Sequence, residues 1–109
     1  MIRAVFFKDA HDGRLRGFSC NGHADYSKRG KDILCSAVSA LTLSCVNSIT
    51  ELTGDKAEVK ESDGNLQCMV SIPVSPESEL LLKSLHLALT SIAEEYPRNV
   101  TVTVNSLFD

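Results

Sequence analysis

The sequence lacks the features expected of a membrane, zinc-binding or nucleic-acid-binding protein. No apolar run approaches the roughly 18 residues of a membrane span, and the apolar start of the chain is too short for a signal peptide. The four cysteines include no Cys-x-x-Cys pair, which argues against a metal site with paired ligands. Basic residues are mostly dispersed in a chain of net charge −3, so a broad nucleic-acid surface is not indicated. We therefore expect a cytoplasmic protein with free thiols and no metal.

Length and composition predict one domain. The chain has 109 residues, of which 43% are apolar, and this is enough to bury a core at that size. No linker or low-complexity segment interrupts it, so residues 1–109 are expected to form a single domain.

Turn signals and apolar periodicity divide the chain into seven elements. Strands are predicted at residues 2–8, 15–21, 57–61, 66–72 and 100–104. The first four form two hairpins, with tight turns at residues 11–13 and 62–65. A first helix is predicted to begin at the cap Asp32 and to end before Gly54, and a second to begin at the cap Ser75 with Pro76 in its first position and to end at Pro97.

Each predicted helix has an apolar stripe with a spacing of three to four residues. In the first helix the stripe is Leu34, Val38, Leu41, Cys45, Ile49 and Leu52, and in the second it is Leu81, Leu85, Ala88, Ile92 and Tyr96. The fold class is therefore α+β: a small single layered domain of order ββαββαβ, with a mostly antiparallel sheet and two helices. The order of the strands in the sheet does not follow from the sequence.

The most informative segment surrounds Cys35. If Asp32 caps the helix, Cys35 occupies the third helical position, where free N–H groups and the helix dipole would stabilise a thiolate and could hold an oxyanion. His23 supplies a candidate base. It cannot reach Cys35 by helical spacing, so the loop at residues 22–31 would have to fold back, and Gly22 and Gly30 permit such a reversal.

Each of these residues also has a simpler interpretation. Cys35 could be a small buried apolar side chain, and His23 a surface histidine in a loop. Asp32 could only cap the helix or could pair with His23. Ser39 lies four residues after Cys35, so its hydroxyl could bond to the sulfur or substrate, or could satisfy the preceding turn.

The remaining cysteines are expected in the core. Cys20, Cys45 and Cys68 lie on apolar faces, and Cys20 could also lie near enough to Cys35 to form an oxidative disulfide. Two other functions stay open on the residues alone. The basic cluster at residues 28–31 could bind RNA, or Cys35 could perform acyl transfer or redox sensing with Cys20.

The segment around Cys35 resembles the signature of the ribosomal-processing cysteine protease family, also called Prp. The resemblance rests on Gly22-His23-Ala24 with Tyr26, followed by Gly30-x-Asp32-Ile33-Leu34-Cys35-Ser36-Ala37-Val38-Ser39. Total length and element order are also similar to those of the family, so the resemblance covers essentially the whole chain.

This resemblance implies a cytosolic bacterial endopeptidase that removes a short N-terminal extension from large-subunit ribosomal protein twenty-seven, after an aromatic-rich segment. It implies a homodimer of small α/β sandwiches that requires no metal or organic cofactor, without direct contact to nucleic acid or membrane. Cys35 would be the nucleophile and His23 the general base, with supporting roles for Asp32 and Ser39. A flexible loop over the substrate, at residues 24–31, would include Ala24, Tyr26 and Gly30, with Gly22 at its hinge.

Overall fold

Seven elements follow one another in the predicted order. In this computed structural model the chain is described over residues 1–22 and 29–108, and its side chains over residues 1–22 and 33–108. The elements are β1 (Ile2–Asp9), β2 (Leu15–Asn21), α1 (Arg29–Leu52), β3 (Ala57–Ser62), β4 (Asn65–Val70), α2 (Pro76–Glu95) and β5 (Val100–Leu107). The predicted order ββαββαβ is confirmed.

The five strands form one sheet in the order β3-β4-β2-β1-β5. The two hairpins pair through β2 and β4, and all of these contacts are antiparallel. Strand β5 instead lies parallel to β1, which is possible because α2 provides the long crossover that a parallel strand requires. The sheet is thus mostly antiparallel, as predicted, with one parallel edge.

One face of the sheet is buried beneath the two helices. In β1, Ile2, Ala4 and Phe6 are at most 2% exposed, whereas Arg3 between them is exposed. This alternation is the signature of a strand with one core face. Phe6 packs against Phe18 of β2 with 5.9 Å between ring centroids. Burial of each such ring contributes about 1.5–3 kcal/mol, so the centre of the sheet anchors the fold.

Helix α2 begins as predicted but faces the core in a different phase. The Ser75 hydroxyl accepts a hydrogen bond from the Ser78 backbone N–H at 3.1 Å, and Pro76 takes the first position. The most deeply buried apolar residues are Leu82, Leu85 and Leu89. Of the predicted stripe, only Leu85 belongs to this set. Leu81 and Ile92 are partly buried and pack against the core, and Tyr96 is 42% exposed at the end of the helix.

Helix α1 begins four residues earlier than predicted, at Arg29 and not at Ile33. It starts at Arg29, so Asp32 lies inside the helix and is not its N-cap, and Gly30 lies in the helix and not in a loop. Cys35 is consequently the seventh helical residue. The unpaired N–H groups of a helix belong to its first four residues. The predictions that Cys35 occupies the third position and that its surrounding N–H groups are free are therefore wrong.

Three predicted core positions at the ends of elements are also wrong. Leu52 is 77% exposed at the last residue of α1, and Val104 is 44% exposed in the outer half of β5. Ile72 lies beyond the end of β4 and is 57% exposed. Periodic patterns continue past the point where neighbouring elements stop covering them, so burial ends sooner than the pattern.

The apolar character of α1 exceeds what the sequence analysis anticipated. By length and composition alone, the segment Ile33–Leu52 could cross a membrane, contrary to the expectation that no run approaches a span. In the fold, however, Val38, Cys45, Val46 and Ile49 of this segment belong to the hydrophobic core. The core helix of a small domain can have the same apolar composition as a membrane-spanning helix, because both bury apolar side chains.

Candidate active site

A groove that contains Cys35 lies between α1 and the β3–β4 hairpin. From α1 it is lined by Cys35, Val38, Ser39, Thr42 and Leu43. From the hairpin it is lined by Glu61, Ser62, Gly64, Asn65 and Leu66. Ile2, Cys20 and Gly22, at the sheet end next to the helix start, complete it. We call this feature the Cys35 groove.

Cys35 combines a fixed backbone with partial access to solvent. It is half-buried, packs against the hydrophobic core and lines the groove. Its position in the second turn of α1 holds the Cα by helical hydrogen bonds on both sides. A rigid element positions a reactive group more precisely than a loop does. The thiol is therefore presented to anything that enters the groove.

Cys20 is the neighbour of Cys35 in the groove. Burial first, and then the nearby charge of Cys35, raise the pKa of Cys20 to about 11. The two thiols therefore share the groove, which is the proximity that the sequence analysis considered, and they do not form a disulfide bond. Burial raises the pKa of Cys68 to about 11, and burial together with Cys68 raises that of Cys45 to about 12. Cys45 and Cys68 are buried in the core, as predicted, whereas Cys20 is half-buried and packs against the core from the groove.

These pKa values predict selective alkylation. A raised pKa lowers the thiolate fraction, and only the thiolate is a good nucleophile. At pH 7.5 a thiol of pKa about 11 is ionised at a level on the order of 10⁻³ to 10⁻⁴. We expect iodoacetamide to modify Cys35 first in the folded protein, as read by peptide mapping with mass spectrometry. Unfolding in guanidinium should make the four rates similar, and equal labelling of Cys68 and Cys35 in the folded protein would contradict this picture.

Gly22 fixes the chain where it leads into residue 23. Its φ is +96°, a conformation that L side chains rarely adopt, and a Cβ at this position would collide with the carbonyl oxygen of Met1. Its backbone N–H donates to the carbonyl oxygen of Gly64 at 2.8 Å. The hairpin that forms one wall of the groove therefore also holds the residue directly before His23.

Four of the predicted site residues have no described side-chain position. His23, Ala24 and Tyr26 lie outside the described residues, so the predicted base and most of the predicted loop over the substrate stay predictions. The backbone of Asp32 lies in α1, but its side chain is also outside the described set. The pairing of Asp32 with His23 likewise stays a prediction.

Ser39 lies in the groove one helical turn after Cys35, as its spacing predicted. It is exposed, and among the described side chains its hydroxyl makes no hydrogen bond to the preceding turn. Thr42, by contrast, is buried and donates to the carbonyl oxygen of Val38 at 2.9 Å. Thr42 thus bonds to its preceding turn in the way considered for Ser39, whereas Ser39 is an exposed residue that lines the groove.

The hairpin wall was missed by sequence reasoning. Residues 62–65 were recognised only as a tight turn, and Glu61 only as the last residue of the strand before it. Nothing local connects them to Cys35, because the contact depends on the pairing of β4 with β2 across the sheet. Of the described groove residues, only Glu61 carries a charged side chain. Within the described part of the chain, no group of three or more His, Cys, Asp and Glu residues is arranged to hold a metal ion.

A comparison with protein-family models identifies the family of this chain. The model described as cysteine protease Prp matches residues 1–101. The chain belongs to the Prp family. It is therefore a cysteine protease, and the resemblance stated from the residues around Cys35 is confirmed.

Known Prp proteins are similar to this chain over nearly its full length. The ribosomal processing cysteine protease Prp of Bacillus subtilis (strain 168) is 28% identical over 111 residues, which cover 96% of this chain and 98% of that protein. The essential ribosomal processing protease Prp from S. aureus, in complex with a covalently linked product peptide, has a TM-score of 0.87 at 27% identity and covers 96% of this chain and 100% of its own. The S. aureus protease in complex with a substrate peptide also has a TM-score of 0.87, at 26% identity and with the same coverage. The predicted α+β sandwich is that of Prp structures.

Proposed function

We propose that this Prp protein is a cytoplasmic endopeptidase that removes the short N-terminal extension of large-subunit ribosomal protein twenty-seven. The observation that carries the proposal is Cys35 itself: a half-buried thiol, on a rigid helix, in a groove open to a peptide. The relatives are ribosomal processing proteases by name, and one was solved with a covalently linked product peptide. A covalent link is what a nucleophilic thiol would form.

The proposed reaction uses Cys35 as nucleophile and His23 as general base. The imidazole takes the thiol proton, and the sulfur attacks the scissile carbonyl carbon to give a tetrahedral intermediate. The C–N bond then breaks, the amine leaves with the proton from the imidazolium, and a thioester remains. Water, deprotonated by the imidazole, attacks the thioester and releases the acid and the thiol. No metal or organic cofactor takes part in these steps.

Three further residues are proposed to support the reaction at Cys35. Gly22 holds the chain directly before His23, and its contact with Gly64 joins that point to the hairpin wall. Ser39 is exposed in the same groove and is proposed to bond to the sulfur or the substrate. Asp32 is proposed to orient the imidazole. Neither a membrane nor nucleic acid is a proposed partner.

The proposed cleavage is tested with the ribosomal protein itself. We expect the extended precursor to be shortened at one site, after the aromatic-rich segment, when incubated with the protein and analysed by mass spectrometry. Alanine in place of each large aromatic residue before the cleavage site should lower kcat/KM by about five- to a hundredfold, the range for an apolar side chain that fills a pocket. Precursor that remains intact, or equal kcat/KM for aromatic and alanine peptides, would refute the proposed substrate.

We also propose a homodimer formed through the exposed side of α1. Ala40, Leu43, Ser44 and Asn47 are exposed at the i, i+3, i+4 and i+7 spacing of one helical face. The helix has no charged residue from Ile33 to Thr50. A depletion of charge is typical of the core of a dimer interface. Such an interface would lie beside the Cys35 groove, because Leu43 belongs to both.

Light scattering during gel filtration tests the dimer. We expect the wild type to elute with twice the monomer mass, and Ser44→Arg to raise the dimer dissociation constant by at least roughly a hundredfold, because it would bury an unpaired charge in each protomer. Ser84→Arg, the same change on an exposed position of α2, should leave the mass unchanged. Equal masses for the two variants would exclude this face of α1.

A further inference from the structure

We propose that the peptide substrate binds as an added strand along the free edge of β3, which guides it into the Cys35 groove. Within the described part of the chain, β3 pairs only with β4 and so forms one end of the sheet. This inference rests on the proposed function, because the peptide placed along β3 is the substrate of that function.

The register of the hairpin shows which backbone groups of β3 are available. The connection between β3 and β4 has two residues, so Ser62 and Asn65 form its closing hydrogen-bonded pair. Hydrogen-bonded and non-hydrogen-bonded pairs alternate along an antiparallel ladder. The backbone N–H of Ser71 donates to the carbonyl oxygen of Lys56 at 2.8 Å, which agrees with this alternation. The N–H and C=O groups of Ala57, Val59 and Glu61 therefore point away from β4.

These outward groups form a regular edge that, within the described part of the chain, has neither a bulge nor a proline. The pairing of β3 with β4 continues from Ala57 to Ser62 without a bulge, and the strand contains no proline. Five of its six residues are exposed. Exposed edges are commonly blunted by bulges, proline, a covering segment or charged side chains, because they otherwise accept further strands. Of these devices, β3 has the charged side chains of Glu58, Lys60 and Glu61, which leave its backbone groups open to a peptide. An open edge of this kind is suited to an extended peptide.

The position of the edge connects it to the catalytic thiol. Glu61 and Ser62, at the end of β3, line the same groove as Cys35. The distance from Ala57 to Glu61 is about 13 Å at 3.3 Å per residue, which is enough to pair with four or five substrate residues. A peptide that pairs with this edge would continue past Glu61 into the groove. The opposite edge strand, β5, contributes none of the described groove residues.

An added strand would also account for the exposure of Val59. In β3 the side chain of Val59 shares a sheet face with Glu61, the face that carries the buried Leu66 and Cys68 of β4. Val59 is nevertheless 40% exposed, as is Leu43 on the groove side of α1. Alternate side chains of an added strand would lie on this face, where they would cover Val59. Backbone pairing would supply affinity, and these alternate positions would supply selectivity.

The first test is a scan of the substrate peptide with single N-methyl groups, using the wild-type protein. Each methyl group removes one substrate N–H donor. We expect kcat/KM to fall about tenfold at every second residue of the paired segment, with little effect at the residues between them, because only alternate N–H groups face β3. A flat profile without alternation would overturn the proposal.

The second test removes an edge donor from the protein. Val59→Pro deletes an outward N–H that β4 does not use, and proline is tolerated at such edge positions. Val59→Ala is the matched control, because it shortens the same side chain and keeps the donor. We expect KM for the peptide to rise about tenfold for Val59→Pro relative to Val59→Ala, at an unchanged rate of Cys35 alkylation by iodoacetamide. Circular dichroism establishes whether both variants fold. If Val59→Pro does not fold, the N-methyl scan of the substrate tests the proposal by itself.

The outcomes separate this inference from the proposed function. Cleavage by the wild type with equal KM for the two Val59 variants would overturn the edge alone. A wild type that does not cleave the peptide would overturn the proposed function and, with it, the occupant named here. If Val59→Pro instead dissociates the dimer in light scattering while KM is unchanged, the edge belongs to a second copy of the chain and the proposal is wrong.

Discussion

Alanine at position 35 is expected to abolish peptide cleavage while leaving the fold and peptide binding intact. Removal of the nucleophile of a covalent mechanism costs roughly 10⁴-fold or more in kcat. The side chain lies in the second turn of a long helix, where alanine has the most favourable helix propensity, and it is half-buried at the margin of the core. The loss should therefore appear in kcat and not in the melting temperature. Cleavage at the wild-type rate by Cys35→Ala would refute the assignment of the nucleophile.

The other thiol in the groove provides the matched control. Cys20→Ala removes a cysteine from the same groove, but burial raises the pKa of Cys20 to about 11, so at neutral pH it is almost entirely protonated. We expect this variant to keep kcat within a few-fold of the wild type. Binding of the uncleaved peptide to Cys35→Ala, measured by fluorescence anisotropy, should match the wild-type KM within a few-fold. Loss of activity in Cys20→Ala alone would mean that the wrong thiol has been assigned.

The local structure of the chain could largely be predicted, because its signals are themselves local. Gly13 and Gly64 both adopt a φ of 76° in the predicted hairpin turns, and Ser75 with Pro76 begins α2 as predicted. In each case a few adjacent residues meet a stereochemical requirement that few other residues satisfy. The periods of the strands and helices follow from the same kind of pattern.

The predictions of helix phase and helix start were wrong where the sequence is compatible with more than one local pattern. Leucine occurs at positions 80, 81, 82, 85, 87 and 89, so the sequence is compatible with more than one helical phase, and contact with the sheet selects Leu82, Leu85 and Leu89. The start of α1 was misplaced because Asp32 is a good cap and Gly30 costs about 1 kcal/mol inside a helix. Such propensities are small, and the structure extends the helix to Arg29 in spite of them.

The site was predictable only on one side. Cys35 and Ser39 are four residues apart on a helix, so their shared face follows from the sequence. The opposite wall, with Glu61 and Asn65, depends on strand order, which is set by contacts between residues far apart in the chain. The proposed pairing of Cys35 with His23 rests on the resemblance to Prp, because no local pattern in the sequence connects the two residues.

Replacement of His23 by alanine is expected to lower kcat at neutral pH by at least roughly a hundredfold, the lower limit for loss of a positioned general base. The structure supports this assignment through the preceding residue. Gly22 is held by its φ of +96°, by the adjacent carbonyl of Met1 and by the hydrogen bond to Gly64, so the chain leads into position 23 from the end of the groove.

The measurement that isolates this role is the rate of Cys35 alkylation by iodoacetamide as a function of pH. If His23 takes the thiol proton, the pH dependence of alkylation should differ between wild type and His23→Ala, since the variant has lost the group that shares the proton with the thiol. His11→Ala is the matched control, because His11 is exposed in the β1–β2 turn, away from the groove residues, and its loss should change neither cleavage nor the alkylation curve. Superimposable alkylation curves for wild type and His23→Ala would show that the histidine does not act on the thiol. A loss of cleavage in that variant would then have to come from substrate binding, and the Cys35–His23 dyad would be wrong.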